Sequence, residues 1–150
     1  MHSLIFEMKI IKHTFEIPNL KVENGELVEN GTTKETYTFT LLHKGMGLYE
    51  ELSGKPLMAT LVNLKDEGDA LEQVISNKFI QDLACASYVK IDGDKFHNNR
   101  ATVEEFKKTA VFPKVSEDID FIKKLIQMAM ECITEQEEKK RKAKNTDSKN

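Results

Sequence analysis

The sequence has no tryptophan, three prolines and only two cysteines. Two cysteines cannot form the disulfide framework of a small secreted domain, and a chain of 150 residues is long enough to build a core without one. Cys85 and Cys132 both stand in apolar, helix-like stretches, so we interpret them as small buried hydrophobic residues of a reducing compartment. A disulfide between them stays open, although nothing in the sequence supports it.

Long apolar runs are also missing. No stretch approaches the ~20 residues that span a bilayer. The first residues, Met1–Glu7, have no basic start and end on a glutamate, which is not typical of a secretory signal. These features predict a cytosolic protein with no membrane partner, and they make the sequon Asn30-Gly31-Thr32 an ordinary turn.

Charge is balanced over the chain but unevenly placed, with a formal net charge of -3. Residues 135–150 hold six Lys or Arg and four Asp or Glu, a local charge of +2, which leaves -5 on residues 1–134. An acidic body argues against a surface for duplex nucleic acid. The basic run 139–144 could contact phosphates, but its acidic neighbours favour a solvated helix end.

Metal-ligating residues come closest together at Asp92, Asp94 and His97. An EF-hand loop starting at Asp92 would need a ligand where Phe96 stands, glycine at position 97 and glutamate where Val103 stands. Three required positions are therefore wrong for calcium. We interpret the segment as a polar turn and predict no metal site.

Catalytic motifs are absent as well. No serine stands in a Gly-x-Ser-x-Gly elbow, and neither cysteine has a histidine close to it in sequence. Gly45 and Gly47 form a pair without the third glycine or the Lys-Ser/Thr of a phosphate loop, which favours a turn at a helix entry. The sequence therefore predicts no enzyme and no cofactor.

Residues 4–41 alternate apolar and polar side chains in short runs, which predicts two or three short antiparallel strands. The dipeptides Asn24-Gly25 and Asn30-Gly31 are expected to be turns, with a further short strand at 26–29 between them. The threonine-rich face of these strands should be solvated, and the aromatic face should pack on helices.

From about Lys44 the apolar period becomes helical. Short helices are predicted to end near Ser53 and to cover 57–64, and a longer helix is predicted to begin after the cap Asp69 and to reach about Ala86. The buried stripe of the longer helix is predicted to contain Leu71, Val74, Ile75, Phe79, Ile80, Leu83, Ala84 and Ala86.

Two further helices follow the Asp92-Gly93 turn. Thr102 and Glu105 have capping-box spacing for a helix over 103–110, and Ser116 is expected to cap the last helix. The last helix has two apolar stripes, one of Ile119, Ile122, Ile126, Ala129 and Ile133, and one of Phe121, Leu125, Met128 and Cys132. One stripe should face the core and the other a second subunit, with burial of both as an equal alternative.

These patterns together predict an α+β fold. A small N-terminal antiparallel β-hairpin or sheet is followed by a bundle of four to five helices, and a disordered charged tail ends the chain. Residues 1–134 are expected to be one domain, β-rich over 1–42 and helical over 43–134. Residues 135–150 hold no apolar residue larger than alanine, which predicts a flexible tail.

Several stretches in this order carry a family resemblance over about residues 36–145. They are Tyr37–Thr40 leading into Gly47–Leu57, then Ala84–Gly93 with Phe96–Asn99, and the charged tail. Together they resemble the tail assembly chaperones of long-tailed siphophages and related prophages of Gram-positive bacteria.

The resemblance implies a non-enzymatic protein that binds the long, helical, aggregation-prone tape measure protein and keeps it soluble. Polymerisation of the tail tube would then displace it, so it would act in the host bacterial cytoplasm and be absent from the mature virion. The resemblance also implies a homo-oligomer and a longer, frameshifted form of the same chain as partners. A polar tail from Glu135 would tolerate such an extension, and an adenine run could encode Lys139-Lys140.

The partner-binding residues that this hypothesis names are on the last helix: Phe121, Leu125, Met128, Met130 and Cys132. Many copies that present apolar or methionine-bearing surfaces would screen hydrophobic stripes of an elongated partner through weak, multivalent contacts. Two other classes stay open. One is a small structural virion protein, such as a tail or connector component, and the less favoured one is a nucleic-acid-binding regulator that uses the run 139–144.

Overall fold

A computed structural model describes residues 9–67 and 76–148, and in these ranges the chain has an α+β fold. Four strands form one antiparallel sheet in the order β1-β2-β3-β4. The strands are β1 (Ile11–Glu23), β2 (Glu26–Phe39), β3 (Tyr88–Asp92) and β4 (Lys95–His97). The helices are α1 (His43–Ser53), α2 (Leu57–Glu67), α3 (Asn77–Ser87), α4 (Arg100–Lys107) and α5 (Ile119–Ser148), with a short 3-10 helix at Phe112–Lys114. The predicted fold class is confirmed.

The first two strands form one long hairpin. The turn at Asn24-Gly25 has two residues, both with positive φ (53° and 79°), as a tight hairpin requires. The predicted turn at Asn30-Gly31 is wrong, because these residues form a bulge in β2. The pairing shifts there by one residue opposite Asn19, and Gly31 takes the positive φ of 76° that the bulge needs.

The two faces of this hairpin differ as the sequence predicts. Phe15 and Phe39 point inward and are buried, with Phe15 and Phe121 5.0 Å apart between ring centroids. Thr14 and Thr36 stand on the outer face, exposed, with 2.7 Å between their hydroxyl oxygens. Thr40 is an exception because it is buried, and its hydroxyl donates to the carbonyl of Lys9.

The predicted helical half, residues 43–134, also contains the hairpin β3–β4, where the sequence predicts only a turn. β3 pairs with β2 at Thr38–Val89 and Phe39–Tyr88. These partners are about fifty residues apart in sequence, so the local pattern alone does not show that this short segment joins the sheet.

The central helix starts later than predicted. Ser76 has extended backbone (φ -94°, ψ 157°), and its hydroxyl accepts the amide of Phe79, so α3 begins at Asn77 and no helix passes through Ser76. Asp69 and the first part of its stripe lie outside the described residues. The second part of the stripe is confirmed, with Phe79, Ile80, Leu83, Ala84 and Ala86 all buried.

The capping box of α4 also lies earlier than predicted. Asn99, not Thr102, is the cap: its side chain accepts the amide of Thr102, and the hydroxyl of Thr102 accepts the amide of Asn99. Thr102 therefore takes the place in the box that the sequence assigns to Glu105. The helix accordingly covers residues 100–107 rather than 103–110.

The last helix, α5, has helical backbone through Ser148. It therefore includes residues that the sequence predicts as a charged tail. The side chains described on α5 reach only to Thr134. The domain boundary at residue 134 stays a prediction.

Candidate partner-binding surfaces

The predicted partner-binding residues on α5 lie mostly inside the protein. Phe121, Leu125, Met128 and Cys132 are all buried in the main hydrophobic core, and only Met130 is half-buried. This corrects the expectation that these side chains form a surface, because aromatic residues of the sheet pack on them. The phenyl ring of Phe121, for example, lies 4.8 Å from that of Phe39 between centroids.

The solvent exposure of the second stripe of α5, which begins at Ile119, decreases along the helix. Ile119 is exposed and Ile122 is half-buried, whereas Ile126 and Ala129 are buried. The side chain of Ile133 lies outside the described part. The alternative in which both stripes are buried therefore holds for the middle of α5, and among the described side chains of this stripe only Ile119, in the first turn, is exposed.

A polar cluster joins the start of α5 to β1. His13 Nε2 lies 2.8 Å from Asp118 Oδ2, and Lys124 Nζ lies 3.4 Å from His13 Nδ1. Since lysine only donates and a carboxylate only accepts, a neutral His13 ring donates from Nε2 and accepts at Nδ1. Asp118 Oδ1 also accepts the amide of Phe121 at 3.0 Å, so Asp118, and not the predicted Ser116, is the N-cap of α5.

The surroundings of Asp118 change its pKa. Burial raises it, but the hydrogen bonds from His13 and from the amide of Phe121, together with the attraction of His13 and Lys124, outweigh burial and lower the pKa below its ordinary value of 3.8. A carboxyl group with a lowered pKa stabilises the folded state above that ordinary value, and this contribution is lost as the pH falls through the folded-state pKa.

We expect Asp118→Ala to lower the free energy of unfolding by about 1–2 kcal/mol, because it removes a helix cap and the partner of a buried imidazole. Asp118→Asn keeps a capping side chain and should lose less. Urea unfolding at several pH values measures both. The gap between wild type and Asp118→Asn should be widest above about pH 5 and should narrow below pH 3.8. A gap that does not change with pH would contradict this account of the cluster.

The thiol of Cys85 lies in the hydrophobic core. Burial raises the pKa of Cys85 to about 12, so its thiol stays protonated at neutral pH. Both cysteines are buried in the hydrophobic core, which confirms the interpretation as small buried hydrophobic residues. Among the described residues, no group of three or more His, Cys, Asp or Glu is placed to share a metal ion.

A groove of about 650 Å³ lies between α1 and α2. Half-buried Met46 and Met58 supply apolar surface, and the ion pair Glu51–Arg100, 2.9 Å between Oε2 and Nε, stands at the rim. Flexible thioethers adapt to many apolar shapes, so this groove can accept side chains of a partner. The charged residues at the rim of the groove are of both signs, so they do not indicate the charge of a partner.

Among the described residues, five of the eight exposed large apolar side chains are on the strands, and the other three are Ile10, Val62 and Ile119. Beyond the bulge, residues 20–29 form the end of the first hairpin, which we call the arm. Leu20, Val22 and Leu27 on the arm are 60%, 71% and 70% exposed. A second patch is on β3–β4, where Ile91 and Phe96 are cross-strand partners and both are more than half exposed.

The register places both patches on the outer face of the sheet, opposite the helices. Leu20 and Val22 keep the outward parity of Thr14 on β1, and Leu27 pairs with Val22. Val89, two residues before Ile91, pairs with the outward Thr38, so Ile91 also faces outward. The sequence carried a signal for the arm, since a two-residue turn at Asn24-Gly25 pairs Val22 with Leu27.

No helix in the described ranges is both long and apolar enough to cross a bilayer. The chain matches no protein family model, no curated protein and no solved structure.

Proposed function

We propose that the protein is a phage tail assembly chaperone that binds the tape measure protein and keeps it soluble until the tail tube forms. The observation that carries the proposal is the ordered set of segments over residues 36–145 that resembles this family. The exposed apolar arm supports a binding role, because contiguous exposed apolar surface marks interaction sites.

Three of the resembling segments, residues 37–40, 84–93 and 96–99, are in contact in the fold. Phe39 of the first segment pairs with Tyr88, and Asn98 Nδ2 donates to the carbonyls of Ala86 and Tyr88, each at 2.9 Å. The segments therefore form one packed unit in which α3, β2 and β3 meet. This packed unit is the scaffold from which the arm extends.

The proposal includes three further features: action in the host bacterial cytoplasm, absence from the mature virion, and assembly as a homo-oligomer with a longer frameshifted form. Residues 139–144 carry five positive charges at the end of the chain, where an added segment would leave the described core intact. Intact-mass spectrometry of the protein made from the native gene should find both products.

Affinity capture tests the proposal. The tagged chain is co-expressed with the tape measure protein of the same phage or prophage genome, and the captured complex is weighed by native mass spectrometry. We expect several copies of the chain per tape measure protein, because each copy covers only a short part of an elongated partner. A tape measure protein that is expressed but never captured, even with the frameshifted product present, would contradict the proposal.

The arm also favours a second candidate, a structural virion protein of the tail or connector. A two-stranded ribbon with unpaired edges can add to the sheet of a neighbouring subunit. Quantitative proteomics of purified particles separates the two candidates. Many copies per tail would favour the structural protein, and absence from mature particles would favour the chaperone.

A further inference from the structure

We infer that the outer face of the arm binds an amphipathic helix whose apolar stripe is flanked by lysine or arginine. The inference rests on the proposed function, in which this helix belongs to the tape measure protein. It assigns the contact to Leu20, Val22 and Leu27 instead of the buried side chains of α5.

The arm is not covered by the rest of the described chain. Of the ten residues of the arm, only Val28 is half-buried and the other nine are exposed. On the other side of the bulge, the same two strands bury Ile11, Phe15 and Phe39. A two-stranded hairpin that packs on nothing is marginally stable in water. An apolar element laid on Leu20, Val22 and Leu27 would therefore stabilise the arm as well as bury these side chains.

The position of the apolar residues selects a helix over a strand. Leu20, Val22 and Leu27 point out of the plane of the two strands, and the strand edges carry only backbone groups. A strand added at either edge would leave all three side chains exposed. A helix that lies across the outer face would cover them, as helices cover sheets in layered folds.

The negative charge of the arm favours basic residues on either side of the apolar stripe of that helix. The arm has three glutamates and one lysine. Glu29 is the cross-strand partner of Leu20 on the outer face. Glu23 and Glu26 are partners of each other at the tip and point to the opposite face, where Lys21 Nζ lies 3.9 Å from Glu23 Oε2. A lysine or arginine beside the apolar stripe of the partner would therefore pair with Glu29 on the outer face. The net charge of the arm, three glutamates against one lysine, adds a longer-range attraction for a basic partner.

The size of the patch argues against pairing of two arms. Three side chains expose roughly 300–400 Å², whereas each partner in a stable complex buries about 800 Å². Two arms would also bring six glutamates together. A weak contact repeated by many copies along one elongated helical partner fits both the small area and the acidic charge.

The test is capture of the co-expressed tape measure protein by three forms of the full chain. The arm variant carries Leu20→Thr, Val22→Thr and Leu27→Thr, which keep strand propensity and remove most of the apolar surface. The matched control carries Ile91→Thr and Phe96→Thr, equally exposed side chains on the same outer face. Thermal unfolding checks that both variants fold.

We expect the arm variant to capture less tape measure protein than wild type by a factor of roughly ten or more. The control should capture as much as wild type. Glu23→Gln, Glu26→Gln and Glu29→Gln together should also weaken capture and reduce its dependence on salt. Unchanged capture by the arm variant, or an equal loss in the control, would overturn the inference. An arm variant that falls apart from an oligomer to a monomer yet still captures would assign the arm to a second copy and overturn it too.

Failure of the inference is distinguishable from failure of the proposed function. If wild type and the arm variant capture the tape measure protein equally well, the result supports the chaperone proposal and contradicts the assignment of the contact to the arm. If wild type captures nothing, the proposed function itself fails.

Discussion

Met128→Asp is expected to unfold the domain. Met128 is 2% exposed in the main hydrophobic core, on the same stripe as Phe121 and Leu125. The exposed Lys9, Lys12 and Lys124 line the open pocket beside Met128, but a carboxylate at this buried position would still be largely removed from water. Burial of a charge without a well-placed partner destabilises the folded state by several kcal/mol. Since the whole stability of a domain is about 5–15 kcal/mol, we expect loss of cooperative unfolding or a severe fall in its midpoint.

The matched control is Lys123→Asp, which places the same residue on the exposed side of α5. It should change the free energy of unfolding by no more than about 0.5 kcal/mol. Far-UV circular dichroism and urea unfolding report both variants. A folded Met128→Asp protein that only loses its oligomeric state would mean that Met128 lies at a subunit interface, and it would contradict this fold.

The two glycines of α1 should respond to alanine with opposite signs. A Cβ at Gly45 would lie 2.7 Å from the carbonyl oxygen of Ala86, a backbone atom that cannot turn aside, so α1 and α3 would have to separate. We expect Gly45→Ala to lower the free energy of unfolding by about 2–3 kcal/mol. At the exposed Gly47 no atom lies within 4 Å of an added Cβ, and alanine should stabilise the helix by about 0.5–1 kcal/mol.

Urea unfolding of both glycine variants measures this difference directly. Because both substitutions raise helix propensity equally, the difference between them isolates the close approach of α1 to α3. Stabilisation by Gly45→Ala would contradict the packing described here. The result also bears on the scaffold of the proposed family, since Ala86 lies in one of the resembling segments.

The sequence predicts the ends of a helix well where residues at those ends determine them. α1 ends at Ser53 because Gly54 takes the left-handed conformation that ends a helix, and α2 begins after Pro56 as predicted. The caps of α4 and α5 differ from the prediction, because several polar residues precede each helix and spacing alone does not select one. At α4 the local pair Asn99 and Thr102 forms the box, whereas at α5 a tertiary contact accompanies the cap. At α5 that contact is the bond between His13 and Asp118, 105 residues apart.

The candidate surface was harder to predict for a similar reason. Both stripes of α5 are apolar, and periodicity cannot show that the sheet's aromatic residues cover Phe121 and Leu125. The arm is more predictable, because its tight turn fixes which residues are partners across the strands. What the local pattern lacks is which face of the hairpin the helices cover, and the described helices lie on the face opposite to Leu20 and Val22.

The most direct test of the chaperone proposal is the solubility of the tape measure protein. It is expressed with this chain, with an unrelated protein of similar size, and alone, and its soluble fraction is measured after centrifugation. We expect it to be mostly soluble only with this chain, because apolar stripes that would otherwise aggregate are screened. Equal insolubility in all three samples, with this chain and its frameshifted form both well expressed, would contradict the proposal.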